Sequence, residues 1–516
     1  MTVDIRNILA KSPETLRRVL TIPHAAAFGF LLLTLATAGR YGFYGDELYY
    51  FACSKHLDFG YVDHPPLVAV LTLVDTWIFG ETKFGLRLMS GLAGAMTVLF
   101  SAKIAEVLGG GKPAQSLAAL SICFAAAFPA ISSFFSMNPV DITLCTVLIY
   151  FLIKTIDSPS PQRWSALGVL GGIGMLNKYT FLVLAFSFLI SFVAARRWDV
   201  LKTKWFYLSG LMSLLIFSPH IIWQIEHGWP TLEFMRNATK YKNLSLTPFA
   251  FVGQLIIGLN PFTLPLWLSG LGYLFFGREM KKYRYLGWMA VVFLLVYMFQ
   301  NSKFYYVLPV FPLLLASGAV AVEIFSIRHK ISWPRRALIS AVVISGSMLM
   351  PLAVPLLPIE QFVSYAKTLG LWNLVRMEKG EGDMPPLHFV YRFGWEGLVD
   401  SVGVAYNALP EDERKKCAVL ASWYGVAGAI DHFGPGHGLP PSVCPRNSYW
   451  TWGPRTYSGE LVLAVGYDAA YLEQFFGSVK RVGFFKNSYG YDAEICLCRK
   501  PRAPLWQMWP QFKKFI

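Results

Sequence analysis

Charge is what this sequence has least of. Lys, Arg, Asp and Glu make up 15% of its 516 residues, where a soluble domain carries about 25%. A water-soluble globular protein is therefore excluded as a reading of the whole chain. Acids are scarcer than bases, 31 against 46, for a net charge of +15. Such a balance can suit nucleic acid, but here Lys and Arg fall in short clusters between apolar runs, as in the loops of a polytopic membrane protein. Also missing are a Walker motif, a Rossmann glycine pattern, an HExxH and a CxxC, so ATP-driven and redox chemistry have no support. No internal repeat is evident. Cysteines number only seven. Cys123 and Cys145 lie inside apolar runs and read as core residues. Cys417, Cys444, Cys496 and Cys498 fall in a polar C-terminal region, where an extracytoplasmic location would permit a disulfide, for instance Cys417 with Cys498. Cys496-Leu497-Cys498 is too tight for a zinc knuckle and reads as alternate positions of a strand.

What is abundant is apolar sequence: 54% of residues are hydrophobic, and the mean hydropathy is +0.44. Runs of about 17–25 residues read as membrane spans. They number about eleven, at 23–40, 84–108, 114–133, 139–156, 164–177, 180–195, 205–223, 249–276, 284–300, 304–325 and 337–357. The segment 66–80 is apolar but short and carries Asp75, so it reads as a helix in or on the interface. The N-terminus is basic and mildly amphipathic. Ala36-Thr37-Ala38 resembles a signal-peptidase site, but a basic flank before a polytopic chain reads as an uncleaved anchor. If the N-terminus is cytoplasmic, the inner loops receive Lys112, Arg163, Arg196, Arg197, Lys202 and Lys204. They also receive Arg278, Lys281, Lys282 and Arg284, then Arg328, Lys330, Arg335 and Arg336, a repeated positive-inside bias. The opposite face receives the Asp46 loop, Asn138–Asp141, Lys178, the 224–248 loop and Lys303.

After Pro358 the chain turns polar. Residues 1–358 are expected to be a transmembrane domain and 359–516 an extracytoplasmic α/β domain. In the latter, Leu369–Arg376 and Gly397–Leu409 read as helices. Lys416–Ser422 and Leu461–Val465 read as strands, and 434–441 as a loop.

The chemistry-bearing stretch is Arg40–Leu67, RYGFYGDELYYFACSKHLDFGYVDHPPL. Its adjacent carboxylates, Asp46 and Glu47, follow the first apolar run. Acids at a membrane boundary are costly unless used. They could serve as a general base or hold a divalent cation. Equally, Asp46 could cap a helix with Glu47 in its first turn. Asp141, in Asn138-Pro139-Val140-Asp141, is a second candidate with the same capping alternative. Lys178 and Lys303 sit beside aromatics, in Asn177-Lys178-Tyr179 and Ser302-Lys303-Phe304-Tyr305-Tyr306. They could clamp a phosphate or snorkel within an aromatic belt. His64 could join them or cap the turn before Pro65-Pro66.

Together these motifs resemble the dolichyl-phosphate-mannose–protein mannosyltransferase-like group, which includes the bacterial aminoarabinose–lipid A transferases. The resemblance rests on Asp46-Glu47 after the first span, His64-Pro65-Pro66-Leu67, Asn138-Pro-x-Asp141, Asn177-Lys178-Tyr179-Thr180 and Lys303-Phe-Tyr-Tyr-Val-Leu-Pro309. It runs in order from about residue 20 to 325. Tyr424-Gly425-x-Ala-Gly-Ala, Gly434-Pro435 and Asn447-Ser448-Tyr449-Trp450-x-Trp452-Gly453-Pro454 resemble the extracytoplasmic domain of bacterial members. His64 stands where aminoarabinose transferases usually show lysine, so their exact donor and acceptor are not carried over.

The resemblance implies a C-type glycosyltransferase fold in the cell inner membrane, with site and C-terminal domain on the periplasmic side. It implies sugar transfer with inversion, from a polyprenyl-phosphate donor to a lipid A, glycan or protein acceptor. In that reading Asp46 is the base, with Glu47 and Asp141 beside it. Asp141 orients the acceptor or helps hold a metal, and the candidate metal ligands, if a divalent cation is used, are Asp46, Glu47 and Asp141. Lys178 and Lys303 bind the carrier phosphate, and His64, Tyr179, Tyr305 and Tyr306 line the substrate site. The competing class is a flippase or transporter of lipid-linked sugars, which would place its ionisable groups nearer the bilayer midplane.

Overall fold

The computed structural model describes residues 21–244, 246–300, 302–372, 385–487 and 492–516. The basic N-terminal segment and the second half of the helix expected at Leu369–Arg376 lie outside them. What is described there is a helix at Ile359–Thr368, with Leu369 as its C-cap.

The described residues before 359 are almost wholly helical. Six helices among the described residues are long and apolar enough to cross a membrane, and up to seven if a bent pair counts as one. Eleven full-length spans are not reached, because several expected runs are short or broken. The run 114–133 divides into Lys112–Phe124 and Ala127–Ser132. Pro129 cannot donate to the carbonyl four residues back and its ring clashes there; that residue, Ala125, is extended. The run 249–276 divides into Pro248–Gly258 and Pro261–Phe276, bent by 99°. Asn260 turns the corner at φ 73°, and its side chain donates to the carbonyls of Phe124 and Val342. Asn is among the few side chains that adopt positive φ at low cost. The helices Ile22–Thr37, Leu67–Phe79 and Thr180–Ala194 are apolar but shorter.

The basic loops gather at one end of this bundle. Lys282 pairs with Asp157 at 2.9 Å, Arg197 donates to the Lys282 carbonyl at 2.7 Å, and Arg328 pairs with Glu279 at 2.8 Å. Glu323 accepts from the Gly111 N–H, which brings in the loop before Lys112.

The C-terminal part holds a four-stranded sheet ordered β1-β2-β4-β3: β1 Ala418–Ala421, β2 Leu461–Val465, β3 Phe476–Phe485 and β4 Ala493–Pro501. Parallel β1 and β2 are wholly buried and read as short apolar runs. The other pairings are antiparallel. The expected helix at 397–409 is Trp395–Asn407. The Cys417–Cys498 disulfide does not form, and all seven cysteines are free. Val462 of β2 lies between Ala418 and Cys498 in the sheet. The two cysteines are thus about two strand spacings, roughly 10 Å, apart, beyond disulfide reach.

The C-terminal part is not a separate globule. One hydrophobic core joins Phe43, Tyr49, Phe51 and Tyr61 of the acidic stretch to Trp395, Val419, Tyr424 and Tyr449. Gly45 and Gly428 permit this close approach. A side chain at Gly45 would meet the Trp423 ring at 2.7 Å, and one at Gly428 would meet the Leu48 backbone at 2.8 Å.

Candidate active site

The two adjacent carboxylates have different surroundings. The short helix Gly45–Lys55 starts at Asp46-Glu47, and neighbouring positions on a helix point about 100° apart. Glu47 turns inward and is fully buried. It accepts from the Tyr44 N–H at 2.7 Å, the Phe135 N–H at 2.9 Å, and the Arg87 guanidinium at 3.0 and 3.2 Å. Arg87 is equally buried and also donates to the carbonyls of Ala38, Tyr41 and Gly42. Glu47, expected in the catalytic group, is therefore saturated by its partners and fixes the loop to the bundle.

Asp46 points toward the C-terminal domain. It accepts from the Tyr424 hydroxyl at 3.0 Å. Burial pushes its carboxyl up to about 6, against the pull of Lys242, Tyr424 and Lys303, with Asp63 adding to the rise. Ionising Asp46 is thus costly enough to leave it basic near neutral pH.

The second half of the loop is tied to the same domain. Asp63 accepts from Tyr49 at 2.8 Å and Asn447 at 3.1 Å. Ser448 Oγ accepts from the Val62 N–H and lies 2.8 Å from the Tyr49 hydroxyl oxygen. His64, expected beside the lysines, is instead fully buried among Tyr49, Tyr50 and Tyr61. Its Nδ1 lies 2.9 Å from the Pro65 carbonyl, and burial lowers its pKa. A neutral, enclosed imidazole is a poor phosphate ligand.

The Asn-Pro-x-Asp and Asn-Lys-Tyr motifs meet. Lys178 Nζ is 2.7 Å from Asn138 Oδ1, 3.9 Å from Asp141, and 4.3 Å over the Tyr306 ring. Asn177 donates to the Met137 carbonyl and locks the two segments together. One oxygen of Asp141 is buried without a partner. Lys303 lies 5.9 Å over the Tyr305 ring and lines a crevice with Leu244, Leu246 and Gln254. Tyr179 turns the other way. Its hydroxyl meets His220 Nε2 at 2.6 Å, and His220 Nδ1 meets the Phe59 carbonyl at 2.9 Å. Tyr179 therefore braces the acidic loop. Asp46, Glu47 and Asp141 do not converge, and among the described residues no group of three His, Cys, Asp or Glu side chains forms a metal-holding cluster.

Sequence reasoning missed four participants. Arg87 was legible as an arginine inside an apolar run, which is itself a functional signal. Tyr424 and Asn447 stood in quoted motifs without a role. Lys242 had no local signal.

Residues 63–223 match the model of the dolichyl-phosphate-mannose-protein mannosyltransferase family. A lipopolysaccharide core galacturonosyltransferase, RgtA, of Rhizobium johnstonii is 27% identical over 117 residues, 21% of this chain and 23% of its own length. The chain thus spans about a quarter of that curated relative. ArnT from Cupriavidus metallidurans in the apo state superposes with a TM-score of 0.63 at 17% identity, over 94% of this chain and 98% of ArnT. The same protein bound to undecaprenyl phosphate gives 0.61 at 16% identity, over 92% and 96%. The chain is therefore a multi-pass membrane protein with an ArnT-like fold, and its residues 63–223 resemble the dolichyl-phosphate-mannose-protein mannosyltransferase family.

Proposed function

We propose that this protein transfers a sugar from a polyprenyl-phosphate carrier to an acceptor hydroxyl or amine at the outer face of the cell inner membrane. The observation that carries the reading is Asp46: a partly buried carboxylate raised to about 6, hydrogen-bonded by Tyr424 and facing the charges of Lys242 and Lys303. A base with that pKa is matched to neutral pH. The family match and an ArnT structure holding undecaprenyl phosphate support the donor class. The positive-inside pattern supports the orientation.

In this mechanism Asp46 takes the acceptor's proton as its oxygen or nitrogen attacks the anomeric carbon. The bond from that carbon to the carrier phosphate oxygen breaks through an oxocarbenium-like state, with inversion. The electron pair leaves with the phosphate, whose charge Lys303 and Lys178 stabilise. Tyr424 holds the Asp46 carboxylate in line. Asp141 and Asn138 hold Lys178, and Tyr306 covers it. Tyr305 flanks Lys303. Glu47, His64 and Tyr179 set the loop's shape.

Mass spectrometry of lipid A, envelope glycans and glycoproteins from cells with and without the protein tests the reading. A sugar-mass increment that disappears in its absence, and with Asp46→Asn, is expected. Unchanged glycans, with intact lipid-linked sugar crossing liposomes that contain the protein, would establish the transporter reading instead.

A further inference from the structure

A second concavity lies in the C-terminal part and is lined by Trp423, whose ring also packs against Gly45, the residue before Asp46. It is an open cleft of about 450 Å³. Its floor is built where the parallel strands end. β1 stops at Ala421 and continues into Ser422-Trp423; β2 stops at Val465 and continues into Gly466-Tyr467-Asp468. The crevice beyond the carboxyl ends of parallel strands is where open α/β sheets bind ligands. The helix Tyr424–Phe433 begins at this place, so its N-terminal N–H groups add positive potential.

The lining combines two cations, a tyrosine pair and one carboxylate, Asp468, whose Oδ1 is engaged by the Ala470 N–H. Arg446 and Lys514 come from distant segments and are brought side by side by a bridge between their backbones. Among the described residues neither has a carboxylate partner, and Arg446 Nε is buried with no hydrogen bond. Partial burial, then the Arg446 charge, lowers the Lys514 pKa, so an anion between the two would relieve both. Beside them Tyr467 and Tyr471 stack at 5.9 Å with rings 5° from parallel, and Lys514 Nζ stands 5.5 Å over Tyr471. Aromatic faces accept the apolar C–H face of a sugar ring, while paired cations demand an anionic substituent.

We propose that this cleft binds an anionic saccharide, a sugar ring carrying a phosphate or carboxylate. We further assign it as a holding site for the acceptor, a step that rests on the transferase reading above. The next residue after Trp423 is Tyr424, which bonds Asp46, so a saccharide seated in the cleft is kept close to the base.

The test uses the full chain in phosphatidylcholine nanodiscs, with saturation-transfer NMR and calorimetry. The probes are glucose 1-phosphate, glucuronate, glucose and inorganic phosphate. Expected are saturation of the ring protons of both anionic sugars, and affinities at least about tenfold weaker for glucose and for inorganic phosphate. Arg446→Gln and Lys514→Gln should each weaken the anionic sugars roughly tenfold. Tyr471→Leu should weaken them while sparing inorganic phosphate. Binding of undecaprenyl phosphate, unchanged in all three variants, reports their integrity. Wild-type affinity for glucose 1-phosphate in both cation variants would overturn the proposal, as would glucose or inorganic phosphate binding as tightly as the sugar phosphate. Failure of the wild type to bind undecaprenyl phosphate would count against the donor reading alone and leave the cleft's result standing.

Discussion

Replacing Asp46 with Asn should make the protein more stable and nearly inactive. The carboxyl's pKa moves from 3.8 to about 6 in the folded protein, chiefly because burial penalises its charge. Two pKa units correspond to about 3 kcal/mol. The sign follows from proton binding. A carboxyl whose folded pKa is raised favours folding when protonated, and this advantage is whole below pH 3.8. It is lost as pH rises through 6, and above that the charged form costs the fold the full amount. Asn keeps the shape and can accept from Tyr424, yet carries no charge. Asp46→Asn should thus match wild type at pH 4 and exceed it in apparent Tm at pH 8, the gap opening between pH 4 and 6. A general base contributes about 10²–10⁴ in rate, so transfer should fall by at least the lower figure. Wild-type turnover should itself rise through pH 6 and then level. Paired thermal-unfolding and transfer assays across pH would check this. An Asn variant less stable than wild type at pH 8 and still transferring sugar at more than about half the rate would refute the reasoning. Asp141 would then be the next carboxylate to replace.

Glu47→Gln should behave oppositely. It leaves Arg87 buried with a weakened partner, a loss on the order of 3–5 kcal/mol, read as a lower Tm with detergent-soluble yield falling in parallel. Lys178→Ala and Lys303→Ala should each weaken carrier-phosphate binding roughly tenfold, measured by calorimetry with undecaprenyl phosphate; wild-type affinity in both would leave them as interfacial anchors. A reporter active only in the cytoplasm, fused after Ile516, should stay silent, and a strong signal would reverse the orientation.

Much of this arrangement was legible because it is local. Asn138, Asp141, Lys178 and Tyr306 each stood in a short motif, and the structure joins them in one cluster. β1 and β2 were readable as apolar runs. β3 was not, since Lys480, Arg481 and Gly483 interrupt any alternation. Spans were overcounted because hydropathy registers composition and overlooks a corner such as Asn260-Pro261. The different fates of Asp46 and Glu47 could not be read at all. They are decided by Arg87, 40 residues from Glu47, and Tyr424, 378 residues from Asp46. His64, which could equally have joined the lysines or capped the turn before Pro65, is packed among three tyrosine rings.

The Tyr424–Asp46 hydrogen bond also sets an order on biogenesis. A ribosome adding 5–20 residues per second needs roughly 20–75 s to make the 378 residues between the two partners. Throughout that interval the nascent chain can insert its early helices while its carboxylate lacks its hydroxyl partner. If Asp46 is the base proposed above, completion of the C-terminal part is the event that arms the protein, and a ribosome stalled before Tyr424 would leave an inserted but incomplete product for quality control to clear.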